Sequence, residues 1–433
     1  MRTFTGQLSV ARRRRHLGSV LGGVALLIVG CSIIRTPSTQ SASALKPIDQ
    51  ATLQSLVDTT IKELLVPGAL VLLRTPQGEY TAASGTTQLG TRNRPAADTH
   101  FRIASNTKTM TAAVILQLTE EGKLRLSDPV SKYVSGVPNG DNITIAQLLE
   151  MRSGLYNYTN DPALSASIDR YPTKVWTSAE LLAIAFSRPP DFPPGTQYEY
   201  NNSNYVLLGL VIEKVDGRSL ASAMQRRLFE PLGMQHTVLP PSTSNSIPEP
   251  YSHGYGYGSS SVVLYGLPPY SPGERAAARA GKVEPTDHTG VNHSFAAAAG
   301  GVISTADDLA IWVRALVVGR VLNAEYQRRW RDSVQPEDPS KPAQKYGYGI
   351  GQLSWGPNTI YFHGGETVGY NSMISYDSTN QMTLIVWTNL PVSLDEQQTA
   401  STLWVKVLDL IYVVSPLQPP SPAKASSRKG DPR

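Results

Sequence analysis

The stretch FRIASNTKTM, Phe101–Met110, places a serine and a lysine three positions apart, at Ser105 and Lys108, where a predicted strand leads into a helix. Residues with this spacing lie on the same face of a helix. The run Ala112–Leu116 is apolar throughout and predicts a helix buried on every side. Burial lowers a lysine pKa, and backbone N–H groups at a helix start favour negative charge. One turn can therefore supply nucleophile, base and electrostatic stabiliser; the alternative is a helix cap followed by a solvated lysine.

Two further motifs accompany this pair. Tyr200–Asn202, within YEYNNSNYVLLG, precedes an apolar helix, and His363–Gly365, within YFHGGETVGYNS, lies on a predicted strand. In this order, the three motifs resemble the serine penicillin-recognising superfamily of class C β-lactamases, D-alanyl-D-alanine carboxypeptidases and related esterases. The segments GKLRLSDPVSKYV, ITIAQLLEMRSGL, AAGGVISTADDLAIW and YGYGIG resemble landmarks of the same family. The resemblance covers roughly residues 48–414.

The resemblance implies a role for each matching side chain. Ser105 would be the acylated nucleophile and Lys108 its activating partner. Tyr200 would transfer protons between nucleophile and leaving group, either as a phenolate or through Lys108. Asn202 would bind the acyl side chain of the substrate and hold the lysine. Without the motif, Tyr200 reads as a packing aromatic and Asn202 as a turn or helix-cap residue.

The third motif departs from the β-lactamase pattern. His363 stands where β-lactamases usually carry the lysine of K-T-G, whereas several carboxypeptidases and esterases of the family have histidine. It would donate hydrogen bonds to a substrate carboxylate or to the catalytic tyrosine. Gly364 and Gly365 suit an edge strand on which substrate lies against the backbone. The Glu366 N–H would complete an oxyanion hole with that of Ser105, while its acidic side chain would repel an anionic substrate.

Hydrophobic patterning predicts an α/β (α+β) fold built from both chain ends. A helix capped by Asp49 and a hairpin around Pro76–Gly78 open the domain, and three strands and a helix over residues 395–413 close it. We expect one antiparallel sheet flanked by the terminal helices, plus a mainly helical lobe from the middle of the chain. This is the β-lactamase/transpeptidase-like architecture that the resemblance implies.

The N-terminal segment predicts export. Arg2 and Arg12–Arg15 account for the whole net charge of +5 and precede an apolar run of about 13 residues, too short for a membrane span of roughly 20 residues. The run ends at IVGC, which resembles a bacterial lipobox, and Cys31 is the only cysteine of the chain. We therefore expect a signal peptide over residues 1–30 and a lipid anchor on Cys31. The protein would lie on the extracytoplasmic face of the cell membrane; an ordinary secretory signal is the alternative.

The remaining domain boundaries follow from composition. Residues 31–46 form a linker, residues 47–415 the hydrolase domain with a Pro/Gly/Tyr-rich insertion at 240–295, and residues 416–433 an unstructured tail. The stretch YSHGYGYG within the insertion predicts a flexible loop near the site. His288 and His293, in the same insertion, are expected at the solvated surface.

Other chemistries lack their motifs in this sequence. It contains no G-x-S-x-G, no H-E-x-x-H and no cysteine set for zinc, so we expect neither metal nor cofactor. Outside the leader the net charge is zero, which gives no indication of a nucleic-acid partner. Asp307 and Asp308 follow a capping threonine and are expected to have a structural role at a helix start.

The favoured prediction is an exported serine hydrolase that forms an acyl-enzyme on an amide or ester. Its expected partners are a small-molecule or peptidoglycan-peptide substrate and, through the lipid anchor, the membrane. The family and the location imply D-alanyl peptides and a carboxypeptidase-like reaction. An esterase and a weak β-lactamase are alternatives with the same site. Alternatives of another class are a non-catalytic scaffold lipoprotein and a membrane adaptor acting through the insertion. The oligomeric state is open.

Overall fold

The computed structural model describes residues 45–265 and 270–413. The predicted signal peptide, Cys31 and the predicted tail lie outside these residues. The first helix begins as predicted, since the Asp49 carboxylate accepts the Thr52 N–H at 2.7 Å. It ends at Leu65, which adopts a left-handed backbone conformation.

The helices and strands have the following bounds. The α-helices are α1 (Gln50–Leu64), α2 (Thr107–Glu120), α3 (Ile145–Leu149), α4 (Pro162–Arg170), α5 (Ser178–Phe186), α6 (Asn202–Asp216), α7 (Leu220–Met224), α8 (Glu230–Leu232), α9 (Ser261–Tyr265), α10 (Pro272–Arg279), α11 (Ala297–Gly300), α12 (Ala306–Val318), α13 (Ala324–Asp332) and α14 (Thr399–Ile411). The strands are β1 (Gly68–Thr75), β2 (Gly78–Gly85), β3 (Phe101–Arg102), β4 (Tyr255–Gly256), β5 (Thr286–Asp287), β6 (Ile303–Ser304), β7 (Gln335–Pro336), β8 (Gln344–Tyr346), β9 (Gly351–Trp355), β10 (Asn358–Thr367), β11 (Tyr370–Asp377) and β12 (Met382–Thr388). A π-helical turn, Gln225–Phe229, joins α7 to α8.

One eight-stranded antiparallel sheet organises the molecule, in the order β2-β1-β12-β11-β10-β9-β8-β7. Strands from the two chain ends meet where β1 pairs with β12, Ala69 opposite Thr388. The predicted assembly of the sheet from both ends is thereby confirmed. The sheet is wider than predicted, because β7, β8 and β9 extend it beyond β10.

Each face of the sheet has its own core. Along β1, Val71 and Leu73 pack with residues of α1 and α14, whereas Leu70 and Leu72 pack with residues of α2. The terminal helices therefore cover one face, as expected from the sequence. α2 is buried all round, as its apolar run predicts, and lies on the other face among the helices of the middle segment.

The segment predicted as an irregular insertion contains regular elements that bond to the rest of the domain. β4 pairs with β5, and the Tyr255 N–H donates to the Asn389 carbonyl at 2.9 Å. The Tyr370 hydroxyl donates to the Ser252 carbonyl at 2.8 Å. The expectation of a solvated His293 is wrong, since this ring is buried between the carbonyls of Val291 and Val368. His288 is half-buried.

Asp307 and Asp308 lie in the first turn of α12, as predicted. Asp307 also forms an ion pair with Arg74 at 2.6 Å, and the Asp308 carboxylate accepts the His236 N–H at 2.8 Å. Within residues 45–265 and 270–413, no helix has both the length and the apolar character to cross a membrane. The same residues contain no group of three or more His, Cys, Asp or Glu placed to hold a metal ion.

Candidate active site

Ser105 lies in a 3-10 turn, Ala104–Asn106, between β3 and α2. β3 pairs with β6, which fixes the chain just before the turn. Ala104 has φ of +50°, a left-handed conformation that costs an L-residue about 1–2 kcal/mol. The turn leaves Ser105 half-buried while its neighbours Ala104 and Asn106 are buried. The turn leaves the Ser105 side chain partly exposed where α2, the start of α6 and β10 meet, a region called the cleft below.

Lys108 is fully buried and contacts Ser105 directly. Its Nζ donates to the Asn202 Oδ1 and the Ala299 carbonyl, both at 2.7 Å, and lies 2.9 Å from the Ser105 Oγ, which can donate to a neutral amine. Burial holds the Lys108 pKa well below its ordinary value. A neutral amine has a lone pair to accept a proton, so the geometry and the pKa direction both suit a general base next to the serine.

Tyr200 and Asn202 come from the start of α6. The Tyr200 ring centroid lies 4.9 Å from the Lys108 Nζ. Burial raises the Tyr200 pKa, against a lowering effect of the Ser105 side chain, which favours a neutral phenol over a phenolate. Of the two proton routes left open by the sequence, this arrangement favours the one through Lys108.

Asn202 contacts Lys108 and is not the cap of α6. The cap of α6 is Asn201, whose side chain accepts the Ser203 N–H at 2.8 Å. The Asn202 Nδ2 donates to the Thr159 Oγ1 at 3.0 Å, which fixes its Oδ1 toward the lysine. Thr159 belongs to none of the sequence motifs, so its contact with Asn202 could not be predicted.

The second half of β10 forms an open edge beside the serine. β10 pairs with β9 only as far as Phe362, whereas it pairs with β11 up to Thr367. Along an antiparallel strand, the N–H and C=O groups of successive residues point to opposite neighbouring strands. Those of Phe362 point to β9, so those of Gly364 and Glu366 also point away from β11. The Glu366 N–H therefore faces the cleft, as the predicted oxyanion hole requires. A side chain at position 365 would meet the Ile103 carbonyl, so only glycine fits there.

His363 bonds to a different tyrosine from the one expected. Its Nδ1 donates to the Gly364 carbonyl at 2.7 Å, which leaves Nε2 to accept the Tyr346 hydroxyl at 3.0 Å. Burial lowers the His363 pKa to about 3. The imidazole is neutral near pH 7 and supplies no positive charge to a substrate carboxylate. Its ring centroid is 6.3 Å from that of Tyr200.

Tyr346 was not predicted as a site residue. It lies on β8 within YGYGIG, a segment matched only as a family landmark. Its ring contacts that of Tyr200 edge-on, with centroids 6.2 Å apart, and its hydroxyl holds His363. Tyr346 therefore connects the β10 edge to the candidate proton-transfer residues.

The Glu366 side chain points away from the cleft. Residues two apart share a sheet face, and a Cβ on Gly364 would contact Met373, which packs with α1 and α14. Accordingly, the Glu366 carboxylate accepts a hydrogen bond from Gln398 at the start of α14. Burial raises the pKa of Glu366 to about 8, against the lowering effect of that bond. The repulsion of anionic substrate predicted from this side chain is therefore weakened by both its direction and its protonation.

We expect Glu366→Gln to stabilise the protein at alkaline pH. The folded-state pKa of Glu366, about 8, lies above the ordinary value of about 4.3. The folded state binds this proton more tightly, so the wild type loses stability as pH rises through that window, whereas glutamine does not titrate. Urea unfolding near the two ends of the window should show a gain for the variant only at the upper end. The exposed Glu396→Gln is the control, and an equal gain at both ends would contradict the assignment.

A surface groove of about 610 Å³ lies elsewhere on the described part of the chain. Arg74, Arg314 and Thr383 line it, at the start of β12. Trp387, near the other end of β12, pairs with Ser372, which pairs in turn with Gly365. The groove is thus separate from the cleft that contains Ser105.

A family model described as Beta-lactamase matches residues 53–409. The chain belongs to the β-lactamase family. This is a family of serine hydrolases, so both the family resemblance and the predicted fold class are confirmed.

Curated proteins similar to this chain include a putative penicillin-binding protein. It is 33% identical over 195 residues to Protein flp of Staphylococcus aureus, a match that spans 43% of this chain and 38% of flp. It is 26% identical over 356 residues to the putative penicillin-binding protein PbpX of Bacillus subtilis, spanning 81% of this chain and 77% of PbpX.

Solved structures give the same fold. A D-stereospecific amidohydrolase from Streptomyces sp. superposes with a TM-score of 0.70 and 32% identity, over 82% of this chain and 99% of the other. The D-amino acid amidase of Ochrobactrum anthropi superposes with a TM-score of 0.69 and 24% identity, over 83% and 97%, a likeness of fold.

Proposed function

We propose that this protein is an exported serine hydrolase that cleaves amide bonds of D-alanyl peptides through an acyl-enzyme. The observation that carries the proposal is the buried Lys108 amine, 2.9 Å from the Ser105 Oγ. A serine needs a neighbouring base to become a nucleophile at neutral pH, and this lysine has the contact and the pKa direction to serve. A carboxypeptidase-like reaction on a terminal D-alanine is the specific case implied by the family.

The proposed chemistry uses residues already in contact. Lys108 takes the Ser105 proton as the Oγ attacks the carbonyl carbon, and the oxyanion is held by the N–H groups of Ser105 and Glu366. The proton then passes through Tyr200 to the leaving amine as the C–N bond breaks. Water attacks the resulting ester with Lys108 and Tyr200 again moving the proton, which releases the acid and restores the serine.

Two sources support the substrate class. The similar solved structures are, by their titles, a D-stereospecific amidohydrolase and a D-amino acid amidase. The open β10 edge can pair with an extended peptide in the manner of an added strand. The predicted location, lipid-anchored through Cys31 outside the cytoplasmic membrane, would bring the site to the peptides of the cell envelope.

Export and anchoring have a separate test. Cell fractionation with metabolic labelling by a fatty acid should place the labelled protein in the membrane fraction. A Cys31→Ser variant should lose the label. Labelling that persists in the variant would contradict the anchor.

The test of the nucleophile is intact-mass spectrometry of the full chain in detergent, with Ser105→Ala as the matched control. Each protein is exposed separately to an activated fluorophosphonate and to benzylpenicillin. We expect the fluorophosphonate to add once to the wild type and not to the variant. An adduct with both reagents would support a penicillin-recognising pocket.

The same experiment separates the alternatives. Fluorophosphonate labelling without a penicillin adduct favours an esterase, or a weak β-lactamase that deacylates quickly, and a β-lactam turnover assay distinguishes these two. Hydrolysis of D-alanyl but not L-alanyl amides would support the stereochemical proposal. No adduct with either reagent would overturn the catalytic proposal and favour a scaffold lipoprotein.

A further inference from the structure

The direction of the Asn202 side-chain amide decides where the Lys108 lone pair points. A neutral amine has two N–H groups and one lone pair. The Asn202 Oδ1 and the Ala299 carbonyl, each 2.7 Å from Nζ, accept both N–H groups. The lone pair is then left for the Ser105 hydroxyl at 2.9 Å. With the amide turned over, its NH2 group would donate to the lone pair and compete with Ser105.

Two buried residues hold the other end of this amide. Thr159 lies in the 3-10 turn Tyr158–Asn160, and Asn157 directly precedes that turn. The Asn157 Oδ1 accepts the Asn202 backbone N–H at 3.1 Å and the Thr159 hydroxyl at 3.0 Å. The Thr159 Oγ1 in turn accepts the Asn202 Nδ2 at 3.0 Å. The three side chains therefore form one continuous chain of hydrogen bonds that ends at Lys108.

This chain of bonds starts from a backbone group and allows one amide direction only. The two ends of an amide have the same shape, so the hydrogen bonds decide which end faces which neighbour. The Asn202 backbone N–H can only donate, so the Asn157 atom that it meets is an oxygen. The Thr159 hydroxyl gives its single hydrogen to that oxygen and can only accept from Asn202. The NH2 group therefore faces Thr159, and the amide oxygen faces Lys108.

We propose that Thr159 and Asn157 are positioning residues that direct the Lys108 lone pair at Ser105 by fixing the Asn202 amide. The inference rests on the proposed use of Lys108 as the general base and adds the residues that keep this base available. Their effect passes through the amide, so it should appear in every reaction that needs an activated serine, whatever the substrate.

The other ionisable groups that face Lys108 are neutral near pH 7. The ring centroids of Tyr200 and Tyr205 lie 4.9 Å and 5.6 Å from Nζ, and burial raises the pKa of both phenols. Burial lowers the pKa of His363, on β10, to about 3. The Glu366 carboxylate, also on β10, bonds at the start of α14 on the other sheet face. The acid limb of the pH–rate profile therefore reports on the side-chain amide that contacts Nζ.

Thr159→Val keeps the shape of the side chain and removes the hydroxyl that holds the NH2 group of Asn202. We expect fluorophosphonate to label Ser105 about tenfold more slowly in this variant, each protein being measured at the pH of its maximal rate. The acid limb should also move to lower pH. Loss of the acceptor oxygen disfavours the ammonium form and lowers the Lys108 pKa further, and activity is lost only as pH falls through that pKa.

Two variants of the full chain in detergent serve as controls. Thr159→Ser keeps both hydrogen bonds and should label within about twofold of the wild type, with an unchanged acid limb. Thr119→Val makes the same change at another buried threonine, near the end of α2, where the hydroxyl bonds to the Ile115 carbonyl. It should match the wild type in rate and in pH profile.

Asn202→Asp separates positioning from general support of the fold. Both ends of its carboxylate are oxygens, so turning the group changes nothing for Lys108. In this background, Thr159→Val should change the maximal labelling rate by less than about twofold. A loss of equal size in both backgrounds, or no loss in either, would overturn the positioning role and leave the hydrolase proposal standing. A wild type in which Ser105 is not labelled would overturn the base role of Lys108 and this inference together.

Discussion

Replacing Lys108 with methionine is expected to lower kcat/KM for amide hydrolysis by about 10⁴-fold, the upper range for loss of a general base. Methionine fills much the same volume but cannot accept the Ser105 proton or donate to Asn202 and Ala299. The rate of fluorophosphonate labelling should fall together with hydrolysis, because both need an activated serine. Steady-state hydrolysis and labelling kinetics measure the two effects.

The control is Lys123→Met, just beyond α2, where the lysine is exposed and paired with Glu121. Its activity should match the wild type. Circular dichroism of both variants checks that α2 still forms. A Lys108→Met protein that is folded and keeps a tenth of the activity would show that another group activates Ser105.

The pH profile gives an independent check on Lys108. Its amine is active when neutral, and burial lowers its pKa. Activity should therefore fall on the acid side, as pH drops through that lowered pKa, rather than only near the ordinary lysine value of about 10.4. His363, with a pKa of about 3, should contribute no change near pH 6.5. A His363→Gln variant that lost a step in this region would contradict the neutral assignment.

Local signals in the sequence were sufficient for the parts of the fold that depend on short-range chemistry. Asp49 caps α1, the hairpin turns at Pro76–Gly78, and Ser105 and Lys108 are held together by helical spacing. Each of these features is determined within a few residues. The match of three ordered motifs then supplied the relation between distant parts of the chain that spacing could not.

Long-range contacts account for what the sequence did not reveal. Tyr346 reaches His363 only because β8 and β9 extend the sheet beyond β10. The direction of the Glu366 side chain depends on strand register, which a one-residue shift would reverse. His293 was expected in solvent because its neighbours are polar, yet it is buried, with its Nε2 3.1 Å from the Val368 carbonyl in the turn between β10 and β11. The roles assigned to the site residues from the family stay predictions until the variants are measured.

Gly365→Ala is expected to lower both activity and stability. A Cβ at this position would lie 2.1 Å from the Ile103 carbonyl oxygen and 2.8 Å from both the Asn106 Nδ2 and the Ser372 Oγ. The carbonyl belongs to the backbone just before the Ser105 turn, so it can move only with the turn or against β10. A displacement of about 1 Å between reacting groups costs about 10²-fold in rate. Overpacking of this kind destabilises by about 1–3 kcal/mol.

Gly364→Ala is the matched control, because its Cβ would point to the other face and meet the flexible Met373 side chain at 3.1 Å. The two variants add the same methyl group to neighbouring residues of one strand. Urea unfolding and amide hydrolysis should show the larger loss for Gly365→Ala in both measurements. Equal losses would mean that the separation of β10 from the Ser105 turn does not control the oxyanion hole. A loss of stability without a matching loss of rate would mean that the turn recovers its geometry around the methyl group.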